Sequence, residues 1–350
     1  MITNLNFPNC DDSLIRQMWL SMYQVPILTI ADELNLFSFL ENTPATVDEV
    51  ATRLNISRRG AEAMLATLAS LGFLSWCQGK FHLTEVSYHF LVPGKPFYWG
   101  YMLHLYKNIP LSHEVLMECL RKDNPVKFDK DKTITEDWES TDVSSEQAVV
   151  ITRAMHSHSF TTAMSLAQRI DLSGIHSFLD VAGGSGCFCI AMAQQYPEIR
   201  FTVAELPSVC KVTQQYIAEY DLSDHINVVE FDMFHDRWSS EYDAIFFAHI
   251  LHDWEPARRS YLVRKSFEAL PPNGRLFIYE MLLSDQQDGP LTAALFSVAM
   301  NHMTLGKQLR STELDTLLRE HGFEDVSIKP IHAGYSLVSG RKPGYKGRPG

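Results

Sequence analysis

The stretch Ser177-Phe-Leu-Asp-Val-Ala-Gly-Gly-Ser-Gly186 reads as a short buried strand running into a glycine-rich turn, with a helix from Cys187 to about Gln195 behind it. Gly183, Gly184 and Gly186 remove the Cβ atoms that would keep a ligand away from the backbone. The free N–H groups at the start of the following helix favour an anionic group at that spot. One βαβ step later, Arg200-Phe-Thr-Val-Ala-Glu205 reads as a second strand ending in a carboxylate, placed to accept hydrogen bonds from a ribose. Working outward, further strands are expected at 226–231, 244–248 and 275–280, and a terminal antiparallel pair at about 326–330 and 335–340. Strands alternating with helices predict an α/β, doubly wound, Rossmann-like sheet.

The turn narrows the ligand. A dinucleotide fingerprint needs G-x-G-x-x-G. Here Gly184-x-Gly186 is followed by Cys187, Phe188 and Cys189, and no G-K-[ST] phosphate loop occurs. Asp180, just before the turn, would repel a pyrophosphate and attract an ammonium group. S-adenosylmethionine carries an amino group, a ribose and a sulfonium, and no phosphate, so it is the ligand expected. Asp232-Met233, closing the third strand, pairs an acid for the adenine amino group with a thioether for its flat face. The plainer alternative is an ordinary glycine-rich βα loop.

Composition bounds the rest. The chain has 350 residues, 45% of them hydrophobic, enough for two domains with cores. A net charge of −12 argues against a nucleic-acid partner, which requires a basic face. No run of eighteen apolar residues is present, and the first eight residues lack the basic and apolar regions of a signal peptide. Six cysteines at 10, 77, 119, 187, 189 and 210 form no C-x-x-C pair, which suggests a reduced, cytoplasmic protein.

Upstream, residues from about 12 to 41 carry Leu14, Met18, Met22, Ile27, Ile30, Leu34 and Phe37 at helical spacing, with a break expected at Pro26. So much apolar surface near an N-terminus suggests either core or, preferably, a subunit interface and hence a homodimer. A capping box at Thr46 and Glu49, a turn at 55–57, a second helix from 58 to 71 and a hairpin about Gln78-Gly79 make a winged-helix pattern. Its recognition-like helix has only Arg58 and Arg59 before a run of Ala, Met and Leu, so packing is preferred to DNA binding. A helix resumes from 147 to about 168. The domain boundary is placed there, giving an N-terminal domain 1–150 and a ligand-binding domain 151–350.

Chemistry is expected beyond the carboxyl ends of the strands. The fourth strand ends in Ala248-His-Ile-Leu-His252-Asp-Trp254. Metal ligation by His249, His252 and Asp253 matches no common spacing, so no metal is expected. A sulfonium methyl group is already activated, and the remaining task is to align an acceptor and remove its proton. An imidazole (pKa about 6.5) can serve a phenol (about 10) if a carboxylate steadies the imidazolium. His252 is the expected base and Glu280, ending the fifth strand, its partner. Phe160, Phe296, Met300 and Met303, with Asn301 for one hydrogen bond, could line a pocket for a flat aromatic substrate, although the helix carrying the last four could equally be core.

Asp180-Val-Ala-Gly-Gly-Ser-Gly186, Glu205-Leu-Pro207, Asp232-Met-Phe234, Leu251-His-Asp-Trp254, Glu268-Ala-Leu-Pro271 with Asn273-Gly274, and Gly322-Phe323 together resemble the plant-type small-molecule O-methyltransferases, the caffeate and acetylserotonin group, over nearly the whole chain. The resemblance implies S-adenosylmethionine as donor, an intertwined homodimer through the winged-helix domain and a histidine base. It carries Gly183, Gly184 and Gly186 onto the donor loop, Glu205 onto the ribose, Asp232 and Met233 onto the adenine, and His252 with Glu280 onto the base. Three positions depart from the pattern. Ala182 replaces the loop's first glycine. Ala248 and His249 stand where a lysine or arginine would meet the donor. Gln308 replaces the second acid beside the base, where it could orient the histidine without stabilising its charge. These departures leave an alternative: an S-adenosylmethionine-binding enzyme of the same fold whose reaction is a rearrangement, decarboxylation or hydroxylation.

Overall fold

The computed structural model describes residues 8–107, 109–127, 132–141 and 143–344; the first seven residues, part of the stretch read for a leader, lie outside them. Contacts divide the chain into two units, Met1–Asn108 and Ile109–Gly350.

The first unit is helical. Helices α1 (Ser13–Ser21), α2 (Gln24–Glu33) and α3 (Leu36–Asn42) precede α4 (Val47–Leu54), α5 (Arg58–Ser70), the hairpin β1 (Leu74–Cys77) and β2 (Lys80–Leu83), α6 (Glu85–Phe90) and α7 (Gly100–Lys107). The first break falls at Met22-Tyr23, not at Pro26. Pro26 sits in the first turn of α2, where its missing N–H has no partner to lose. Asn35 at φ 58° makes the next break. The Thr46–Glu49 capping box forms as expected. Leu36, Phe37, Val50, Leu65, Leu68 and Leu74 make the core. In contrast, Leu14, Ile15, Met18 and Trp19 of α1 are 63–73% exposed, far more than packing within one chain would leave.

The second unit begins with α8 (His113–Lys122), α9 (Ile134–Glu139) and the long α10 (Ser145–Ala167). The boundary therefore falls near 108, about forty residues before the expected one. Residues 109–150 are tied to the sheet domain by long-range bonds: the His302 ring to the Pro110 carbonyl at 2.8 Å, and the Val126 N–H to the His302 carbonyl at 2.8 Å. An Arg258–Glu139 ion pair adds to them.

Strands β3 (Ser177–Val181), β4 (Arg200–Glu205), β5 (Ile226–Glu230), β6 (Ala244–Ala248), β7 (Arg275–Met281), β8 (Glu324–His332) and β9 (Tyr335–Arg341) form one sheet in the order β5-β4-β3-β6-β7-β9-β8. The first five run parallel and β9 is antiparallel to both neighbours. Phe178, Val181, Val203, Ile245, Phe247 and Ile278 are fully or almost fully buried, the near-continuous apolar strands of a sheet covered on both faces. Helices α11 (Cys187–Ala193), α12 (Pro207–Glu219) and α13 (Pro256–Ala269) make the crossovers, and α14 (Leu291–Met303) and α15 (Ser311–Glu320) precede the terminal hairpin. The strand order reverses between β3 and β6, and a crevice opens there beyond the carboxyl ends. No helix among the described residues is long and apolar enough to cross a membrane.

Candidate active site

The loop after β3 is held by its glycines. Gly184 (φ 57°) and Gly186 (φ 73°) take left-handed conformations. Ala182 does so too, at φ 55°, where the resembling family has glycine. A Cβ on Gly183 would come within 2.6 Å of the Asp180 carboxylate and 2.9 Å of Val203. Thr213 donates to the Gly184 carbonyl at 2.6 Å, and Ser185 meets the buried His156 ring at 2.8 Å, tying the loop to α12 and α10. Glu205 closes it: its carboxylate accepts the Gly184 N–H at 2.9 Å and the Leu206 N–H at 2.7 Å. Burial raises the pKa of Glu205 against the pull of those two donors.

Asp180 does not face the ligand. It is wholly buried beneath Gly183, one oxygen without a partner and the other accepting from the Cys189 thiol at 3.5 Å. Burial pushes it up to about 8. The expectation that it meets an ammonium group is corrected: the glycine turn folds over the acid and seals it.

The crevice takes in about 1110 Å³ including the open solvent at its mouth. Ala182 to Ser185, Glu205, Asp232, Met233, His249 and Asp253 line it. Asp232 spends much of its carboxylate on its own turn, accepting from Phe234 N at 2.8 Å and His235 N at 3.2 Å. The α10 residues Ile151, Thr152, Met155 and Ser159, and Trp138, also form the wall. Sequence reasoning missed these five, although the recurrence of Ile151, Met155 and Ser159 every four residues marked one helix face. The charged groups of the wall are three acids, Glu205, Asp232 and Asp253, with no lysine or arginine. Such a wall suits a cation and carries no lysine or arginine to meet a phosphate. The glycine cradle and the carboxylate at the tip of β4 fit S-adenosylmethionine on the same grounds.

His252 lies in a short 3-10 helix, Leu251–Asp253, that follows β6. Its Nδ1 stands 2.6 Å from Glu280 Oε2, and its backbone N–H donates to Glu280 Oε1 at 3.3 Å. The ring nitrogen and Oε2 meet out of line, as a close ion pair without a well-directed hydrogen bond. Nε2 is 3.7 Å from Asp253. Burial alone would push the imidazole down; Glu280 and Asp253 outweigh it and bring His252 to about 9. Asp253 is raised to about 7, chiefly by burial, with His252 pulling against it.

Gln308 is fully buried, and neither its amide oxygen nor its nitrogen has a hydrogen-bond partner. Its segment touches the base region: a Cβ on Gly306 would strike the His252 carbonyl, and Leu283 donates to Leu309 at 2.9 Å. The amide itself bonds nothing, so the expected orienting bond to His252 is absent. Phe296 packs edge-on against His252 at 5.4 Å. Met300 is buried, with Thr304 donating toward its sulfur at 3.8 Å, and Met303 is half-buried. Two expectations fail. Phe160 stacks on His156 at 4.8 Å and meets Tyr220 at 5.3 Å, which makes it packing between α10 and α12. Asn301 points to Asp123 at 3.5 Å, at the end of α8. His249 lines the crevice, with both ring nitrogens buried and unbonded. No cluster of metal-ligating side chains occurs among the described residues.

Comparison with known proteins shows the family. Residues 113–324 match the O-methyltransferase domain family and residues 17–93 the O-methyltransferase dimerisation domain. The chain belongs to the O-methyltransferase family, and it is an S-adenosylmethionine-dependent O-methyltransferase with a dimerisation domain. It is similar to the 3-hydroxy-5-methyl-1-naphthoate 3-O-methyltransferase of Streptomyces sahachiroi, 32% identical over 90% of each chain. It is also similar to the L-tyrosine C(3)-methyltransferase of Streptomyces lavendulae, 31% identical over 77% of this chain and 75% of that one. The crystal structure of human N-acetylserotonin methyltransferase in complex with SAM shares the fold, with a TM-score of 0.83, 24% identity and coverage of 97% and 100%. Each is named for methyl transfer, which does not favour the non-methylating alternative.

Proposed function

We propose that this enzyme methylates a phenolic hydroxyl of a small aromatic molecule, with His252 as general base. The pairing of His252 with Glu280 beside an acid-walled crevice carries this reading. S-adenosylmethionine supplies the methyl group as a sulfonium carbon open to direct displacement. Glu205 would hold the ribose hydroxyls, Met233 and Asp232 would meet the adenine, and the Gly183–Gly186 turn would let the donor lie against the backbone. His252 takes the phenol proton. With the ring near 9 and a phenol near 10, that transfer is close to balanced. Glu280 stabilises the imidazolium as it forms. Phe296 shields that side from water. The exposed apolar residues of α1 at i, i+1, i+4 and i+5 (Leu14, Ile15, Met18 and Trp19) fit burial against a second copy, making a homodimer. Six unpaired cysteines, two of them exposed, suit the reducing cytoplasm.

The test is transfer of radiolabel from the donor to a panel of naphthols and hydroxybenzoates, with His252→Ala alongside. Labelled ether product that disappears in the variant supports the reading. Label in carbon- or nitrogen-methylated product only, or equal transfer by the variant, would sink it.

A further inference from the structure

A second groove lies at the opposite end of the sheet from the crevice. Arg275 opens β7, about 20 Å from the carboxyl end of that strand at roughly 3.3 Å per residue. The groove takes in about 680 Å³ including open solvent, and its charged wall is Arg169, Arg275, Lys329 and Arg341 against Asp171 and Asp325. That is a net cationic wall in a chain whose net charge is −12. Strand register places most of these groups. Arg275 lies opposite Arg341, Ser339 stands between Phe277 and Ser327, and Leu337 lies opposite Lys329. Residues two apart on a strand share a face, so an arginine rung and a lysine rung flank a serine rung. Arg169, just past the end of α10, joins the same wall.

The two acids already have partners. Asp325 accepts from Arg341 at 2.7 Å. Asp171 accepts from the Ser173 N–H at 2.9 Å and its hydroxyl at 2.5 Å, and one carboxylate cannot balance Arg169, Arg275 and Lys329 together. The donors are in surplus. Arg275 gives Nη1 to the Asp171 carbonyl at 3.0 Å and Nη2 to the Ser173 carbonyl at 2.8 Å, which fixes the guanidinium and leaves the rest of its fork to donate. Arg169 donates to the carbonyl and hydroxyl of Ser165, both uncharged. Lys329 is exposed and acts on Asp171 through its charge alone. The Ser327 and Ser339 hydroxyls share one hydrogen bond at 2.9 Å, so one O–H between the two remains to donate. A lysine on the edge strand β8 also guards that edge against pairing with another chain. Edge protection does not account for Arg169 and Arg275, which stand on no edge strand.

We propose that this groove binds a diphosphate group, free or carried by a small molecule. Its oxygens take Arg275 on one rung, the spare serine hydroxyl on the next and Lys329 on the third, with Arg169 adding a further cation. A guanidinium fork and an ammonium are the two side chains that meet phosphate oxygens best. Two linked phosphates match cations held on rungs that the serine rung separates, whereas a single carboxylate leaves one of them unpaired. The site is distinct from the crevice and does not depend on the O-methylation reading.

Titration of the full-length protein with pyrophosphate, the crevice filled with S-adenosylhomocysteine, tests this by calorimetry and equilibrium dialysis. Wild type is expected to bind. Lys329→Glu and Arg169→Glu, both at exposed positions outside the crevice, should each weaken binding at least about tenfold, the worth of one hydrogen bond to a charged group. Their affinity for S-adenosylhomocysteine should not change. Lys211→Glu makes the same charge change on α12 and should leave pyrophosphate binding where it is. ADP separates the sources of the group: tighter binding than pyrophosphate marks a nucleotide, and equal or weaker binding marks the bare diphosphate. Should a reversed charge prevent folding, Lys329→Gln and Arg169→Gln take its place and should weaken binding in the same direction. No pyrophosphate binding by wild type overturns the proposal. So does binding unchanged in both groove variants, which leaves the cations as braces and edge guards, or a loss in Lys211→Glu as large as theirs, which reports net charge alone.

Discussion

Nδ1 of His252 and Oε2 of Glu280 lie 2.6 Å apart, joining the carboxyl ends of adjacent strands where neither side chain reaches solvent. With His252 as the proposed base, the contact sets the pH at which it is free. A base must be neutral to accept a proton, so kcat/KM is expected to rise with pH, with its inflection at about 9 and a plateau above it. Glu280→Gln removes the charge that overcomes burial, and the inflection should then fall below the ordinary histidine value of about 6.5. The maximal rate should fall with it, because the imidazolium loses its stabilising partner. The stability linkage has the same origin. A histidine raised from about 6.5 to about 9 contributes fully below pH ~6.5, and that contribution is lost as pH rises through 9. A pH–rate profile that does not move in Glu280→Gln would remove Glu280 from the mechanism.

Glu205 accepts two backbone N–H groups from the donor loop and its own strand end, at 2.9 and 2.7 Å. Those bonds fix the Gly184 turn as well as orienting the carboxylate. Glu205→Ala should weaken S-adenosylhomocysteine binding about 10- to 100-fold, corresponding to the roughly 1.5–3 kcal/mol of hydrogen bonds to a charged group. Glu205→Gln keeps an acceptor and should lose less. Calorimetry with S-adenosylhomocysteine decides, and equal affinities for wild type and the alanine variant would exclude the role.

Much of this was legible before any coordinates. The parallel strands are apolar runs ended by turn residues, because both faces of the sheet are covered, and their bounds shift by only a residue or so. His252 and Glu280 were legible because adjacent parallel strands must deliver their end residues to one edge. What failed was depth and partner. Asp180 stands in the right place along its strand, but the fold of residues 182–186 over it depends on Val203 and Cys189, which only the packed structure brings together. Phe160 is on a helix buried around much of its circumference, and periodicity says that such a residue is buried without saying against what. The boundary near 108 rests on bonds such as His302 to Pro110, nearly two hundred residues apart. No local pattern encodes them.

The sealed Asp180 should make the protein less stable as pH rises. Its native pKa is raised to about 8, whereas an unfolded aspartate titrates near 3.9. Between those values the native state keeps a proton that the unfolded state has released, so stability falls with increasing pH. Asp180→Asn removes that dependence while keeping shape. Its melting temperature should exceed that of wild type at pH 8 and approach it at pH 4. An unchanged difference between the two pH values would show that Asp180 is ionised in the native protein.

Gln308 offers a last, separate measurement, because its amide is buried and bonds nothing. Leaving a buried polar group unsatisfied costs about 1–3 kcal/mol. Gln308→Met keeps a flexible side chain of similar length and removes both polar atoms, so denaturant unfolding should show a gain of about that size. The pH–rate inflection should stay where Glu280 sets it, since the lost amide is uncharged and touches neither partner of the pair through a hydrogen bond. A shifted inflection would mean that the amide turns toward His252 during the reaction. A drop in stability would mean that water satisfies the two atoms in solution.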